Sequence, residues 1–154
     1  MPIARPIPLT RGQYAWVDAE DYERVSQYKW RAQVDNDTKD FVAVSKVGLM
    51  SRFIFGVTDP KILVDHKNHN KLDNRKLNLR IANNFTNGYN RLKNKNNVSG
   101  HKGVYRHSNG IGWIFQINAG GTRYREYFKN LEEAVAARKE AVIRLHGEFA
   151  CDND

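Results

Sequence analysis

Apolar positions along this chain fall into three patterns. Over residues 7–58 they come in short alternating runs: Tyr14-Ala-Trp-Val, Asp21-Tyr-Glu-Arg-Val, Tyr28-Lys-Trp-Arg-Ala and Phe41-Val-Ala-Val. Alternation of period two is the mark of half-buried strands, so this region predicts several short strands with one helical turn at Ala19–Ser26. The polar run Asp35-Asn-Asp-Thr is a turn, and Gly56 to Pro60 is a break. From 61 to 95 the pattern changes. A strand ends near Asp65, a polar loop covers Lys67–Arg75, a second strand covers Leu77–Ile81, and Asn83 or Asn84 caps a helix running to about Leu92. This predicts a β-β-α unit, with the polar stretch KNKNNVSG at 93–100 as a linker.

The C-terminal part predicts three strands and a helix. The strands are Gly103-Val-Tyr-Arg, Trp113-Ile-Phe-Gln-Ile-Asn and Arg123-Tyr-Arg-Glu-Tyr-Phe, with a tight turn at Ala119-Gly-Gly-Thr. Trp113, Phe115 and Ile117 share one strand face. Apolar residues at 131, 134, 135, 142 and 145 predict an amphipathic helix ended by Gly147. The fold class is therefore α+β: short N-terminal strands, a β-β-α unit, then a small three-stranded antiparallel sheet packed on one helix.

At 154 residues with 40% hydrophobic content, the chain has room for one ordinary domain or two small ones. No run of eighteen apolar residues marks a membrane span, and the start MPIARPIPLT does not read as a signal peptide. The single cysteine, Cys151, excludes an internal disulfide framework and a cysteine-based zinc site, and fits a reducing cytoplasm. Charge changes the picture most. The net charge is +8, yet residues 1–60 carry 8 basic and 8 acidic side chains, residues 61–108 carry 11 and 2, and residues 109–154 carry 6 and 7. The excess lies in the central segment, interleaved with apolar positions, and predicts a polyanion-binding surface.

That segment also holds the chemistry. Phosphodiester hydrolysis needs a base for water, a cation for the phosphate and leaving oxygen, and a group that orients the base. His66 can serve as the base at neutral pH. Asp65 and an asparagine oxygen are hard ligands suited to Mg²⁺, with Mn²⁺ also suitable. Neighbours in a regular strand point to opposite faces. A site shared by Asp65 and His66 therefore predicts an irregular strand at this point, with His66 in the loop or beside a bulge. His69, in the loop, is a rival histidine to which a backbone or solvent role is assigned.

Asp65-His66, then Asn78-Leu-Arg80, then Asn84-x-x-Asn87-x-x-Asn90-Arg91 resembles the HNH endonucleases of the ββα-metal class, in the asparagine-ended form of phage and intron homing enzymes. The resemblance implies that His66 is the general base, that Asp65 and Asn87 hold one divalent metal, and that Asn78 orients the imidazole across the finger. It implies turn roles for Asn68, Asn70 and Asn74, and phosphate contacts for Asn84 and Asn90. The leader from Ile7 to Glu23, followed by Tyr28-Lys-Trp, resembles the segment preceding such fingers. Where that group commonly has Met-His-Arg, this chain has Met50-Ser51-Arg52, so Ser51 is either a packing position or the loss of a helpful histidine.

Ser99-Gly-His-Lys-Gly-Val-Tyr-Arg106, Trp113, Ile117, Tyr127-Phe128, Glu132-Glu-Ala and His146-Gly-Glu-Phe-Ala150 resemble an AP2-type DNA-binding domain, with Glu126 departing from the usual glycine. This implies DNA contacts from Lys102, Arg106, Gln116, Arg123 and Arg125, with Trp113 either a contact or core. In the central segment Lys67, Lys71, Arg75, Lys76, Arg80, Arg91, Lys93 and Lys95 are expected to hold the backbone, Arg80 and Arg91 nearest the site.

The expected organisation is a nuclease domain over 1–95, its finger at about 61–92, and a DNA-binding domain over 96–154. The expected function is metal-dependent hydrolysis of double-stranded DNA by a phage or homing endonuclease in a bacterial cytoplasm, as monomer or homodimer, nicking or cutting both strands. The alternative is a DNA-binding protein with a decayed finger. An RNA-binding role ranks lower, because the basic block has no aromatic platform beyond Tyr89.

Overall fold

The computed structural model describes residues 3–89 and 93–150. It is a mixed α+β structure of small antiparallel sheets and, among the described residues, four α-helices. The chain forms two compact units, Met1–Asn83 and Asn84–Asp154.

In the first unit β1 (Ala4–Pro8) pairs with β2 (Tyr14–Asp18), which leads into α1 (Ala19–Ser26). Next come β3 (Arg31–Val34), β4 (Phe41–Ser45) and β5 (Gly48–Leu49), in that order in one sheet. The alternation in the sequence is realised as expected: Ala15 and Val17 of β2 point into the core beside Ile7, Val25, Trp30 and Ala43. Trp30 Nε1 donates to the Val25 carbonyl oxygen at 2.8 Å, so its polar atom is satisfied inside. Tyr28, Trp30 and Phe53 meet edge to face.

A helix not expected from the sequence follows: α2 (Met50–Phe55). Met50 and Ile54, four apart, are both buried in the core, and Gly56 at φ 67 ends the helix with its N–H shared between the Arg52 and Phe53 carbonyls. Six residues were too few for the helical period to show in the sequence. Ser51 lies on α2 and is buried, at 6% exposure. A hairpin of β6 (Leu63–His66) and β7 (Leu79–Ala82) completes the unit, and Leu79 joins its core.

In the second unit α3 (Asn84–Tyr89) comes first. The expected continuation of this helix to Leu92 lies outside the described residues. Residues 93–104 are tied by hydrogen bonds: Lys93 Nζ to Gly100 O at 2.7 Å, Asn97 Nδ2 to His101 O at 2.7 Å and Ser99 Oγ to Val104 O at 2.6 Å. β8 (Val104–Arg106), β9 (Trp113–Ala119) and β10 (Thr122–Phe128) form a sheet with β9 at the centre. α4 (Leu131–His146) packs Ala134, Ala141 and Val142 against Val104, Phe115 and Ile117, as the sequence pattern anticipated. Gly112, at φ 74, has no room for a side chain: a Cβ there would lie 2.6 Å from the Phe128 carbonyl oxygen. Among the described residues no helix is long and apolar enough to cross a membrane.

Candidate active site

The β6–β7 hairpin keeps regular register to its end. Asp65 faces Arg80, His66 faces Leu79, and Lys67 N–H bonds the Asn78 carbonyl at 2.9 Å. The irregularity expected at Asp65–His66 is absent. The turn begins only after the ladder, where His69 N–H bonds His66 O and His69 itself takes φ 64. Side chains across a ladder share a face. Asp65 and Arg80 therefore lie on one face of the hairpin, and His66 and Leu79 on the other.

His66 is partly buried beside that core face. Burial is the main cause that pulls its pKa below the ordinary 6.5, against upward contributions from Asn74 and Asp65. The shift favours the neutral ring at neutral pH. Its Nε2 lies 3.2 Å from Asn74 Oδ1. Asn74 is 2% exposed, and its Nδ2 is directed at the Lys71 carbonyl oxygen at 3.5 Å, which leaves Oδ1 for the ring. An amide oxygen only accepts, so Nε2 carries the proton and Nδ1 the lone pair. A partly buried neutral imidazole with a fixed tautomer can take a proton from water.

Asn78 does not reach that ring. Its Oδ1 accepts from Asn68 N–H at 3.0 Å and its Nδ2 donates to the Asp73 carbonyl at 2.7 Å. It clamps the loop that carries Asn74, so the expected direct bond from Asn78 to the imidazole is replaced by Asn74 on the ring and Asn78 beneath the loop. The many asparagines thereby find their use. Asn68 Oδ1 accepts from Asn70 N–H and Asn70 Oδ1 from Leu72 N–H, which are side-chain turns two residues long. Asn68 Nδ2 donates to Asp73 Oδ2 at 3.0 Å. The leader braces the same loop: Trp16 N–H bonds Leu72 O, Asn74 N–H bonds Trp16 O, and Asp18 Oδ2 accepts Lys76 N–H at 2.8 Å.

Asp65 meets the guanidinium of Arg80, with Nε at 2.9 Å and Nη2 at 2.8 Å from Oδ2; their side chains are 11% and 8% exposed. Arg80, expected near phosphate, is enclosed here and paired with the carboxylate beside it. Among the described residues no group of three or more His, Cys, Asp or Glu could hold a metal. The donors that are present, a carboxylate at Asp65 and amide oxygens, suit a hard divalent ion that keeps most of its waters. Asn87 lies exposed on α3, in the second unit.

Much of the basic excess is neutralised at home. Lys71 pairs with Asp35 at 2.9 Å, Arg75 with Asp73 at 2.7 Å, and Lys76 with Glu20 at 2.7 Å and Asp21 at 3.0 Å. Lys67 Nζ donates to the Leu77 carbonyl. The acids of the N-terminal leader thus cancel cations that the linear charge count left exposed, and the expected backbone grip by this block is reduced accordingly. Arg91 lies outside the described residues, and Lys93 is exposed.

The Lys71–Asp35 pair gives a pH prediction. The Lys71 ammonium, with backbone N–H donors at Thr38 and Asp37, holds Asp35 at about 2 against an ordinary 3.8. A depressed carboxyl stabilises the fold above 3.8, and that contribution is lost as pH falls toward about 2. Lys71→Ala is expected to raise the Asp35 pKa in a carboxyl-carbon NMR titration and to flatten stability across that window. An unmoved Asp35 would contradict the pair.

In the second unit the register sorts the expected DNA contacts. Arg106, Trp113 and Phe128 lie in one row, on the same face as Val104 and Phe115, which is the α4 face. Trp113 is therefore at the core edge, with the Arg106 guanidinium 4.9 Å over its ring. Lys102 Nζ donates to Tyr89 O at 2.8 Å. Trp113 thus takes the core-side one of its two expected places, while Arg106 stays exposed above its ring and Lys102 is tied to the Tyr89 carbonyl. Gln116 with Arg125, and Asn118 with Arg123, fall on the opposite face together with Tyr105, Ile114 and Tyr127. Arg123 and Arg125 are exposed there.

The chain is 30% identical to an uncharacterized HNH endonuclease of Acanthamoeba polyphaga mimivirus, over 93% of this chain and 76% of that protein. No family model matches, and no solved structure matches. The similarity runs through the Asp65–His66 hairpin and across both compact units. The chain belongs to the HNH endonuclease family.

Proposed function

We propose that the protein is a metal-dependent endonuclease that hydrolyses phosphodiester bonds in double-stranded DNA, of the phage or homing type. The observation that carries the reading is His66: a partly buried imidazole, held toward its neutral form and fixed at Nε2 by Asn74, next in sequence to a carboxylate. His66 takes a proton at Nδ1 from the attacking water. The water oxygen bonds to phosphorus, and the bond to the 3′-oxygen breaks. Asn74 keeps the ring from turning, Asn78 keeps the loop from moving, and Arg80 holds the Asp65 carboxylate in place. Asp65 and, by family resemblance, Asn87 would hold Mg²⁺ or Mn²⁺. When bound, such an ion stabilises charge on the phosphate and the leaving oxygen. One site per chain nicks one strand; two cuts need a dimer or two visits.

The DNA-binding role falls to the outer sheet face of the second unit. Exposed Arg123 and Arg125 flanked by Tyr105 and Tyr127 suit phosphates or base edges. Arg123→Ala with Arg125→Ala is expected to weaken duplex binding by about tenfold or more and lower the salt slope by about 2. Lys71→Ala, already ion-paired in the wild type, should leave both unchanged. Fluorescence anisotropy against salt checks this.

The reading is tested with an end-labelled duplex incubated with Mg²⁺ or Mn²⁺. Products with 5′-phosphate and 3′-hydroxyl ends, lost on chelation, are the expected result. Tight binding without cleavage in either metal would overturn it and leave a DNA-binding protein.

A further inference from the structure

Among the described residues α3 has six, Asn84–Tyr89. A helix this short does not hold itself in water, because nucleation costs more than one or two turns return. Among the described residues its last turn is held by contacts within the second unit that meet at Tyr89. The Tyr89 ring lies flat on the His146 imidazole, with centroids 3.9 Å apart and planes 2° from parallel. The Tyr89 hydroxyl accepts from Gly120 N–H at 2.6 Å, in the turn between β9 and β10. The Tyr89 carbonyl, in the last turn of α3, accepts from Lys102 Nζ at 2.8 Å. His146 is fixed in turn, its Nε2 donating to Asn118 O at 3.0 Å. The His146 ring from α4, the Lys102 ammonium from the segment before β8 and the Gly120 backbone N–H from the β9–β10 turn converge on one residue, two positions after Asn87.

We propose that Tyr89, held by His146, Lys102 and Gly120, is a positioning residue: it fixes α3, and so the presentation of Asn87, from within the C-terminal unit. The inference rests on the nuclease reading above, in which Asn87 is a metal ligand. A merely structural stack would leave metal affinity alone.

The test uses the full chain as wild type, Tyr89→Ala, Tyr89→Phe and Asn87→Ala. Three quantities are read: hydrogen exchange of the 84–89 amides, Mn²⁺ affinity by calorimetry without DNA, and the kcat and KM of plasmid nicking. In Tyr89→Ala, α3 exchange is expected to speed by about tenfold or more, with β9 amides unchanged. Mn²⁺ is expected to bind several-fold more weakly, and kcat to fall with little change in KM. Tyr89→Phe keeps the stack and loses only the bond to Gly120, so it should recover most of each. Asn87→Ala should weaken Mn²⁺ binding without changing α3 exchange. A wild type that cleaves, with Tyr89→Ala matching it in exchange and Mn²⁺ affinity, overturns this inference alone. A wild type that neither binds Mn²⁺ nor cleaves overturns the nuclease reading, and this inference with it.

Discussion

His66→Ala is expected to reduce DNA cleavage by about 10²- to 10⁴-fold, the usual worth of a positioned general base. The fold should survive. His66 occupies the last pair of the β6–β7 ladder, and its backbone bonds do not depend on the ring. The cost to stability is the buried Asn74 oxygen left without its partner, about 1 kcal/mol. Duplex affinity should be unchanged, because the exposed arginines assigned to DNA lie in the other unit. Single-turnover cleavage with urea unfolding of the same variant separates the two effects. A loss of activity that tracked a loss of fold would contradict the assignment. Asn74→Ala should fall between wild type and His66→Ala, since it frees the ring without removing it.

The second large effect concerns stability. Arg80→Ala leaves the Asp65 carboxylate enclosed without its guanidinium. Breaking an ion pair this buried costs about 3 kcal/mol. Asp65→Asn in the same chain removes the stranded charge and should restore part of the loss. Chemical denaturation of the single and double variants measures the coupling. An Arg80→Ala protein as stable as wild type, whose DNA binding instead loses about 0.9 from its salt slope, would return Arg80 to the role of phosphate contact.

What the sequence disclosed, and what it hid, follows from the range of each interaction. β9, with Trp113, Phe115 and Ile117 on one face, and α4, with its spaced apolar positions, were legible because a period repeats over seven and sixteen residues. The same periodicity gives Trp113 a core-side place, and the cross-strand register sends Arg106 with it. α2 escaped because its apolar spacing spans only Met50 to Ile54; Gly56 just beyond was the one available signal. The Asp65–His66 pair was legible as chemistry, but its geometry was not. Regular pairing continues through both residues, because the Asn78 carbonyl and side chain carry the ladder into the loop. Asn74 was read as a turn residue, since it sits eight positions from His66 in a loop with no period. Only the fold brings them together. The charge count overstated the unpaired charge for a similar reason. Asp35 lies thirty-six positions from Lys71, and Glu20 fifty-six from Lys76, so a segment with a large formal excess finds its counterions in the leader.

The central claim is that this hairpin hydrolyses DNA. It is tested most directly by incubating supercoiled plasmid with the full chain and Mg²⁺ or Mn²⁺, beside His66→Ala and a chelated control. Open-circular or linear product in the wild type, absent from both controls, is the predicted result. Equal conversion by wild type and His66→Ala, or no conversion in either metal despite tight binding, would contradict it.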